Sequence, residues 1–296
     1  MDSKQSGGID LHIHSTASDG TYTPREIIEM AVNAGLRAIS ITDHDTLEGC
    51  RTAYNGDIPS DLGFITGVEI SVQAPENSHI RGSLHILGYG VDPENRPLCL
   101  ALEKYQDIRK HRIFRTVERL QKLGFPIKAQ QVMDQAGDGV AGRPHVAEVM
   151  VKAGYADNIN DAFDRYLGNG RPACVGKERM DCRDAFHLIA GAGGIPVLAH
   201  PYLVSDAQSE GLVQLLEQLR DMGLKGIEVY YPKHSQAATA RYLELAASFG
   251  LAATGGTDFH GELIPDIKLG RGSGDLHVPY AIFEELLSRY SITFAR

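Results

Sequence analysis

The sequence predicts an α/β protein in which parallel strands alternate with helices. Short β-rich runs recur along most of the chain, and the stretches between them are amphipathic with recognisable starts and stops. Ionisable residues, moreover, fall at the ends of the β-rich runs rather than at random. In chain order the candidate strands are "GIDLHI", "RAISIT", "GFITGVEI", "SLHILGY", "IPVLAH", "GIEVYY" and "LAATGG". The helical stretch "PREIIEMAVNAG" opens on Pro24, whose fixed φ suits a first turn, and stops at Gly35. "SEGLVQLLEQLRDMG" and "SQAATARYLELAASFG" repeat that form, each ending on glycine. Between about residues 97 and 172 the alternation fails, and "RPLCLALEKYQDIRKHRIFRTVERLQKLG", "RPHVAEVMVKAGY" and "NDAFDRYLG" are all helical in pattern. The expected organisation is therefore an α/β body formed by 1–96 and 173–296, carrying a helical insertion at 97–172.

With 296 residues, the chain suits one large domain with an insertion. Hydrophobic residues make up 43% and charged residues 23%, as in folded globular proteins. "MDSKQSGG" has neither an apolar core nor a small-residue cleavage site, so no secretory signal is expected. No apolar run approaches the ~18 residues of a membrane span. Cys50, Cys99, Cys174 and Cys182 lack CxxC spacing and form no disulfide framework, which makes a reducing cytoplasm the expected compartment. A net charge of −9 excludes wrapping of long nucleic acid by bulk electrostatics. A short anionic substrate needs only a site that is locally positive.

Chemistry gathers at the strand ends. His12 and His14 close the first strand, Asp43 and His44 the second, and Glu69 the third; His85 lies in the fourth. His200 closes "VLAHP", and "TGGTDFHG" puts Asp258 and His260 beyond the last. Alternating strands and helices place active sites at the C-terminal strand ends. His12 and His14, two apart on a strand, point to the same side, and two imidazoles sharing one space are natural metal ligands. Asp19, after the turn "STASDG", can return a hard oxygen to that space.

The motifs "DLHIHSTASDG", "ITDHDT", "GVEIS", "HILGY", "GRPHVAE", "GGIPVLAHP" and "TGGTDFHG", in that order, resemble the PHP (polymerase and histidinol phosphatase) superfamily over nearly the whole chain. The likeness is to the branch of nucleoside 3′,5′-bisphosphate phosphatases and 5′→3′ exonucleases of short oligoribonucleotides. It implies a distorted (β/α)7 barrel holding up to three divalent ions. His12, His14, Glu69 and Asp258 are the implied ligands of one ion, and Asp19, His44 and His260 of a second. Glu69 bridges to a third completed by His85 and His200. Asp19 stands where some relatives carry histidine, which favours Mn²⁺ over Zn²⁺, with Zn²⁺ and Fe²⁺ as the alternatives. Three dications against Asp19, Glu69 and Asp258 leave the pocket at about +3, which reconciles an acidic chain with a phosphate ester. The implied reaction is in-line attack of an activated water on phosphorus without a covalent phosphoenzyme. Glu69, Asp258 and His200 are its expected catalytic residues, and a metal or His200 serves the leaving oxygen.

The second phosphate of such a substrate needs a bidentate cation. Arg143 of "GRPH" is the first choice, with His145, Lys177 and Arg179 behind it. Arg109 and Arg112 share a face of one helix, and Tyr22 and Arg25 follow the first strand closely enough to touch a base or phosphate. His79, His111, His187, His234 and His277 lack a motif and are read as structural. The expected substrates are small nucleotides and short oligoribonucleotides, with no membrane or protein partner. Two enzymatic rivals are a phosphomonoesterase on a metabolite such as histidinol phosphate, which would need Arg143 less, and an amidohydrolase-type C–N hydrolase. The latter usually bridges its metals through a strand-end lysine, where this chain has Glu69. A non-enzymatic metal-binding module would show lost ligands, and none is lost.

Overall fold

A computed structural model describes residues 7–76, 78, 80, 83–136, 141–176, 178–206 and 208–292, with residues 109 and 110 described as backbone only. The structure is α/β. Two compact units divide it: one takes the chain up to Leu102 and from Arg179 onward, and the other runs Glu103–Glu178.

The first unit contains β1 (Ile9–Ile13), α1 (Pro24–Asn33), β2 (Ala38–Ile41), α2 (Glu48–Tyr54), β3 (Gly63–Phe64), β4 (Gly67–Gln73) and β5 (Leu84–Tyr89). After α3 (Arg96–Lys122) leads out of it, the second unit holds α4 (Ala129–Ala136), α5 (Arg143–Lys152), α6 (Ile159–Ala162) and a π-turn at Phe163–Leu167. The chain then completes the first unit with β6 (Met180–Asp181), α7 (Cys182–Gly191), β7 (Ile195–Leu198), α8 (Glu210–Met222), β8 (Gly226–Tyr230), α9 (Gln236–Phe249), β9 (Ala252–Gly255) and α10 (Tyr280–Tyr290).

Local chemistry explains the helix limits. Thr23 caps α1 in a reciprocal box with Glu26, and Pro24 follows at the first position. Ser209 and Ser235 cap α8 and α9, which stop at Gly223 (φ 115°) and Gly250 (φ 65°). Those left-handed termini cost a glycine little.

Strand pairing departs from the expected all-parallel order. The ladders make two sheets, β1-β2-β3 and β6-β4-β5-β7-β8-β9, not one continuous barrel. Single bridges, Ile13 to Phe259 and His44 to Glu69, join the margins of the two sheets. They complete a circuit of seven strands: β1, β2, β4, β5, β7, β8 and β9. Within it β5 runs antiparallel to both β4 and β7. The cause is the short link from β4 to β5, residues 74–83, in which no helix is described; a parallel return needs a crossover of a dozen residues or more. The run "GFITGVEI" also splits, its first part pairing with β2 and its second with β5.

Each unit buries its own core. In the first, Ile9, Leu11, Leu87, Tyr89, Val197, Ala252, Phe283 and Leu286 pack together. The Tyr89 hydroxyl reaches across to donate to the Leu11 carbonyl at 2.9 Å. In the second, Ile113, Val117, Leu120, Val146, Met150 and Leu167 form a separate cluster.

Candidate metal centre

Nine side chains converge where strands of the first unit end. His12 lies in β1 and His14 one residue past it. His44 follows β2 and His200 follows β7, whereas Glu69 is the third of the seven residues of β4 rather than its close. Asp258 and His260 follow β9. His85 is the second residue of β5 rather than a late one. Because β5 is reversed, its start lies at the rim the other strands reach with their ends, and register places His85 opposite Ser71, two past Glu69.

Glu69 is the hub and has no solvent exposure. Its Oε2 lies 3.3 Å from His12 Nε2, 3.2 Å from His14 Nε2 and 2.9 Å from His44 Nδ1. Its Oε1 lies 2.9 Å from both His85 Nδ1 and His200 Nε2. Asp258 Oδ1 adds contacts of 3.4 Å to His12 Nε2 and 3.1 Å to His14 Nε2. Asp19 faces His14 Nδ1 (3.6 Å), His260 Nε2 (3.4 Å) and His44 Nε2 (3.9 Å).

Three groups within this cluster have the spacing to hold a cation: His12, His14, Glu69 and Asp258; His14, Asp19, His44 and His260; and His44, Glu69 and His85. The first set has the expected composition. The second also includes His14, whose two ring nitrogens face different acids. His200 stands beside the third set through Glu69 Oε1. The donors fit divalent cations, as buried polar atoms testify. His12 Nε2, His14 Nε2, His44 Nδ1 and Glu69 Oε2 have no hydrogen-bond partner, and such atoms cost roughly 1–3 kcal/mol each when unmatched. Four of them facing one another are compatible with stability when a cation lies between them.

Electrostatics agree with that reading. Burial opposes charge on Glu69, but His44, His12 and His85 outweigh it and hold the carboxyl well below its usual range. Asp258 is likewise held down against burial by His12 and His14, and Asp19 by His260, His44 and His14. Burial also opposes charge on His12 and His14. Glu228, Asp258 and Glu69 nevertheless keep His12 well above its normal value, and Asp258 and Glu69 raise His14 to about 10. Burial pushes His85 down to about 4, with Glu69 offsetting only part of it. The carboxylates thus demand positive charge, which protons supply on some imidazoles and a bound cation can supply instead.

The backbone bears the cost of this convergence. Among the described residues four non-glycines have positive φ, and three adjoin the centre: Asp45 (54°), His200 (26°) and Asp258 (55°). Strain of that kind, about 1–3 kcal/mol per residue, concentrates at functional sites. Gly256 lets β9 pass β1, since a Cβ there would collide with the His12 backbone nitrogen and Cβ.

Supporting residues surround these ligands in roles that the sequence motifs do not disclose. Asp43 accepts from the Ser15 backbone N–H and hydroxyl (both 2.7 Å) and from the Ser18 hydroxyl (2.6 Å), fixing the turn that presents Asp19. Fully buried Asp10 accepts from the Thr257 N–H (2.9 Å) and hydroxyl (2.6 Å) and the Gly270 N–H (2.8 Å). The Tyr231 hydroxyl donates to Asp258 Oδ2 at 3.0 Å. Glu228, inside β8, lies 3.0 Å from His12 Nδ1 and accepts the His200 backbone N–H at 2.7 Å. The available signal was an acid within the apolar run "GIEVYY".

The phosphate candidates are placed differently. Arg143 and His145 belong to the second unit. Arg143 Nη1 donates to the Leu167 carbonyl (3.0 Å) and Asn169 Oδ1 (3.4 Å). His145 Nδ1 accepts the Gly142 N–H at 3.0 Å, closing the start of α5. Arg179 belongs to the first unit and donates to the Ser83 hydroxyl at 2.8 Å. Lys177, His79 and the Arg109 side chain lie outside the described residues. Tyr22 stacks on Phe259 at 5.9 Å, whereas Arg25 pairs with Glu29 on the surface. His187 and His277 are exposed, and His111 lies against Phe114. His234 donates to the Val229 carbonyl at 2.8 Å, a structural role. No described helix is long and apolar enough to cross a membrane.

Comparison with known proteins agrees with the motif reading. The model of the PHP domain family matches residues 10–248. A 5′-3′ exoribonuclease of Haemophilus influenzae is 33% identical over 85% of this chain and 89% of its own. A 3′,5′-nucleoside bisphosphate phosphatase of Chromobacterium violaceum is 33% identical over 85% of this chain and 87% of its own. A structure from Bifidobacterium adolescentis, described as a candidate metal-dependent phosphoesterase, superposes with a TM-score of 0.75 at 30% identity, covering 96% of both chains.

Proposed function

The chain belongs to the PHP domain family, and from that premise we propose a metal-dependent phosphoesterase that removes the 3′-phosphate from nucleoside 3′,5′-bisphosphates and degrades short RNA from its 5′ end. The observation that carries the proposal is Glu69, a buried carboxylate within 3.3 Å of five imidazole nitrogens. The seven-strand circuit is read as a distorted barrel, with the second unit as its insertion. Cytoplasmic location is part of the same reading.

His12, His14, Asp19, His44, Glu69, His85, His200, Asp258 and His260 would hold up to three divalent ions, Mn²⁺ fitting the mixed imidazole and carboxylate donors. Such ions, when bound, lower the pKa of water towards neutrality and neutralise phosphoryl oxygens as charge moves to the leaving group. The chain's own residues prepare for this. Glu69 gives one oxygen to each side of the cluster. Tyr231 occupies Asp258 Oδ2 with its proton and so turns Oδ1 towards His12 and His14. Asp43 fixes the turn that carries Asp19. Bent backbone at His200 and Asp258 aims their side chains before substrate arrives.

Arg143 is assigned the second phosphate of the substrate, with His145, Lys177 and Arg179 as its companions. A guanidinium suits that task because its fork matches two phosphate oxygens. The test compares kcat/KM of the Mn²⁺-treated protein on 3′,5′-bisphosphoadenosine, 3′-AMP, histidinol phosphate and a 5′-phosphorylated RNA dinucleotide. The bisphosphate is expected to lead. Arg143→Ala is expected to lower its kcat/KM by roughly 10- to 100-fold, the worth of a charged hydrogen bond, while p-nitrophenyl phosphate changes little. Equal losses on both would remove Arg143 from the substrate site, and histidinol phosphate leading would replace the nucleotide assignment.

A further inference from the structure

We propose that Glu228 is the positioning residue through which His12 and His200 are set to receive cations on opposite sides of Glu69, an inference resting on the phosphoesterase reading. Of the seven strands in the circuit, β8 alone brings no candidate ligand to the rim. It nonetheless carries a carboxylate with no solvent exposure, between Ile227 and Val229, which are equally buried. A carboxylate so placed is costly unless its oxygens are matched. Here each is matched to a different candidate ligand: Oε1 lies 3.0 Å from His12 Nδ1, and Oε2 accepts the His200 backbone N–H at 2.7 Å.

The first contact selects a tautomer. At 3.0 Å a carboxylate oxygen facing a ring nitrogen is matched as an acceptor, which assigns the His12 ring proton to Nδ1. The lone pair of the neutral ring is then on Nε2, the atom 3.3 Å from Glu69 Oε2 and 3.4 Å from Asp258 Oδ1. That is the atom a cation in the first group would take. The second contact holds a backbone. His200 has φ 26° and ψ 63°, a conformation that a non-glycine residue adopts only under constraint. With its N–H held by Glu228, its ring delivers Nε2 to Glu69 Oε1 at 2.9 Å. His12 thus serves one oxygen of Glu69 and His200 the other, and a single buried side chain arranges both.

Glu228→Gln tests this. Glutamine keeps the length and can accept from His200 through its carbonyl, but its amide then presents N–H to His12 Nδ1 and drives the ring proton to Nε2. Two readouts apart from turnover are decisive. Calorimetric titration with Mn²⁺ is expected to show binding about 10- to 100-fold weaker than in the parent, as for other residues that orient a ligand histidine. Glu228→Asp, which retains the charge, is expected to recover part of the loss. Long-range ¹H–¹⁵N spectra of the Zn²⁺-loaded parent are expected to show the His12 proton on Nδ1, a readout that stands even if the glutamine variant fails to fold. A folded Gln variant with parental Mn²⁺ affinity, or a parental His12 proton on Nε2, would overturn the proposal. A parent protein that binds no Mn²⁺ would overturn the phosphoesterase reading beneath it, which is a distinguishable result.

Discussion

Glu69→Gln is expected to leave the protein folded, to lower kcat/KM on the bisphosphate substrate on the order of a thousandfold, and to reduce the metal retained per chain. The size follows from position. One carboxylate oxygen faces His12, His14 and His44, and the other faces His85 and His200. Glutamine offers an oxygen to only one of those sides and turns an N–H₂ group on the other. It also removes the negative charge that brings dications into a site of clustered imidazoles, and with it several kcal/mol of electrostatic stabilisation of the transition state. Circular dichroism checks the fold, elemental analysis counts the metal, and steady-state kinetics read the loss. Parental turnover with a full metal complement would remove Glu69 from the centre of the account.

The second large effect is a coupling between metal, protons and stability. Without cations, the buried carboxylates hold His12 well above its normal pKa and raise His14 to about 10. A histidine with a raised folded-state pKa contributes stability that is fully present below its unfolded value near 6.5 and is lost as pH climbs through the folded value. Metal-free protein should therefore weaken between pH 7 and 9, by an amount on the order of 5 °C in Tm for one such proton in a domain of this size. Cation binding needs those nitrogens deprotonated. Mn²⁺ affinity should accordingly rise across the same window, about tenfold per pH unit for each proton displaced, and the metal-loaded protein should not share the decline. Melting curves of chelator-treated protein at pH 7 and 9, with and without Mn²⁺, check both statements. A metal-free Tm that does not fall, or Mn²⁺ affinity independent of pH, would contradict the electrostatic account of His12 and His14.

Much of the fold was legible because the relevant signals are local. Thr23, Pro24, Gly35, Ser209, Gly223, Ser235 and Gly250 mark helix limits through their own backbone and side-chain chemistry. Alternation along β1 was enough to place His12 and His14 on one side. What was missed depends on pairing. The reversal of β5 is decided by which strands its edges meet, although the shortness of the link before it was a usable cue. Glu228 illustrates the same limit at the site. Period-two alternation puts it on the face opposite Ile227 and Val229, but nothing in "GIEVYY" says that this face meets His12, 216 positions earlier in the chain. Asp10 and Asp43 sit beside histidines in conspicuous motifs, yet their work is to accept hydrogen bonds from Thr257, Gly270, Ser15 and Ser18. Arg143 and His145 show the reverse. A motif residue chosen for substrate has local bonds as well, to the Leu167 carbonyl and the Gly142 N–H respectively.

The most direct test of the central claim is anomalous diffraction at the manganese edge from crystals grown with excess Mn²⁺. Peaks are expected among the His12, His14, Glu69 and Asp258 donors, with further peaks towards Asp19, His44 and His260 and towards His85 and His200. A difference map without peaks at this rim, in crystals where the nine side chains are well defined, would contradict that claim.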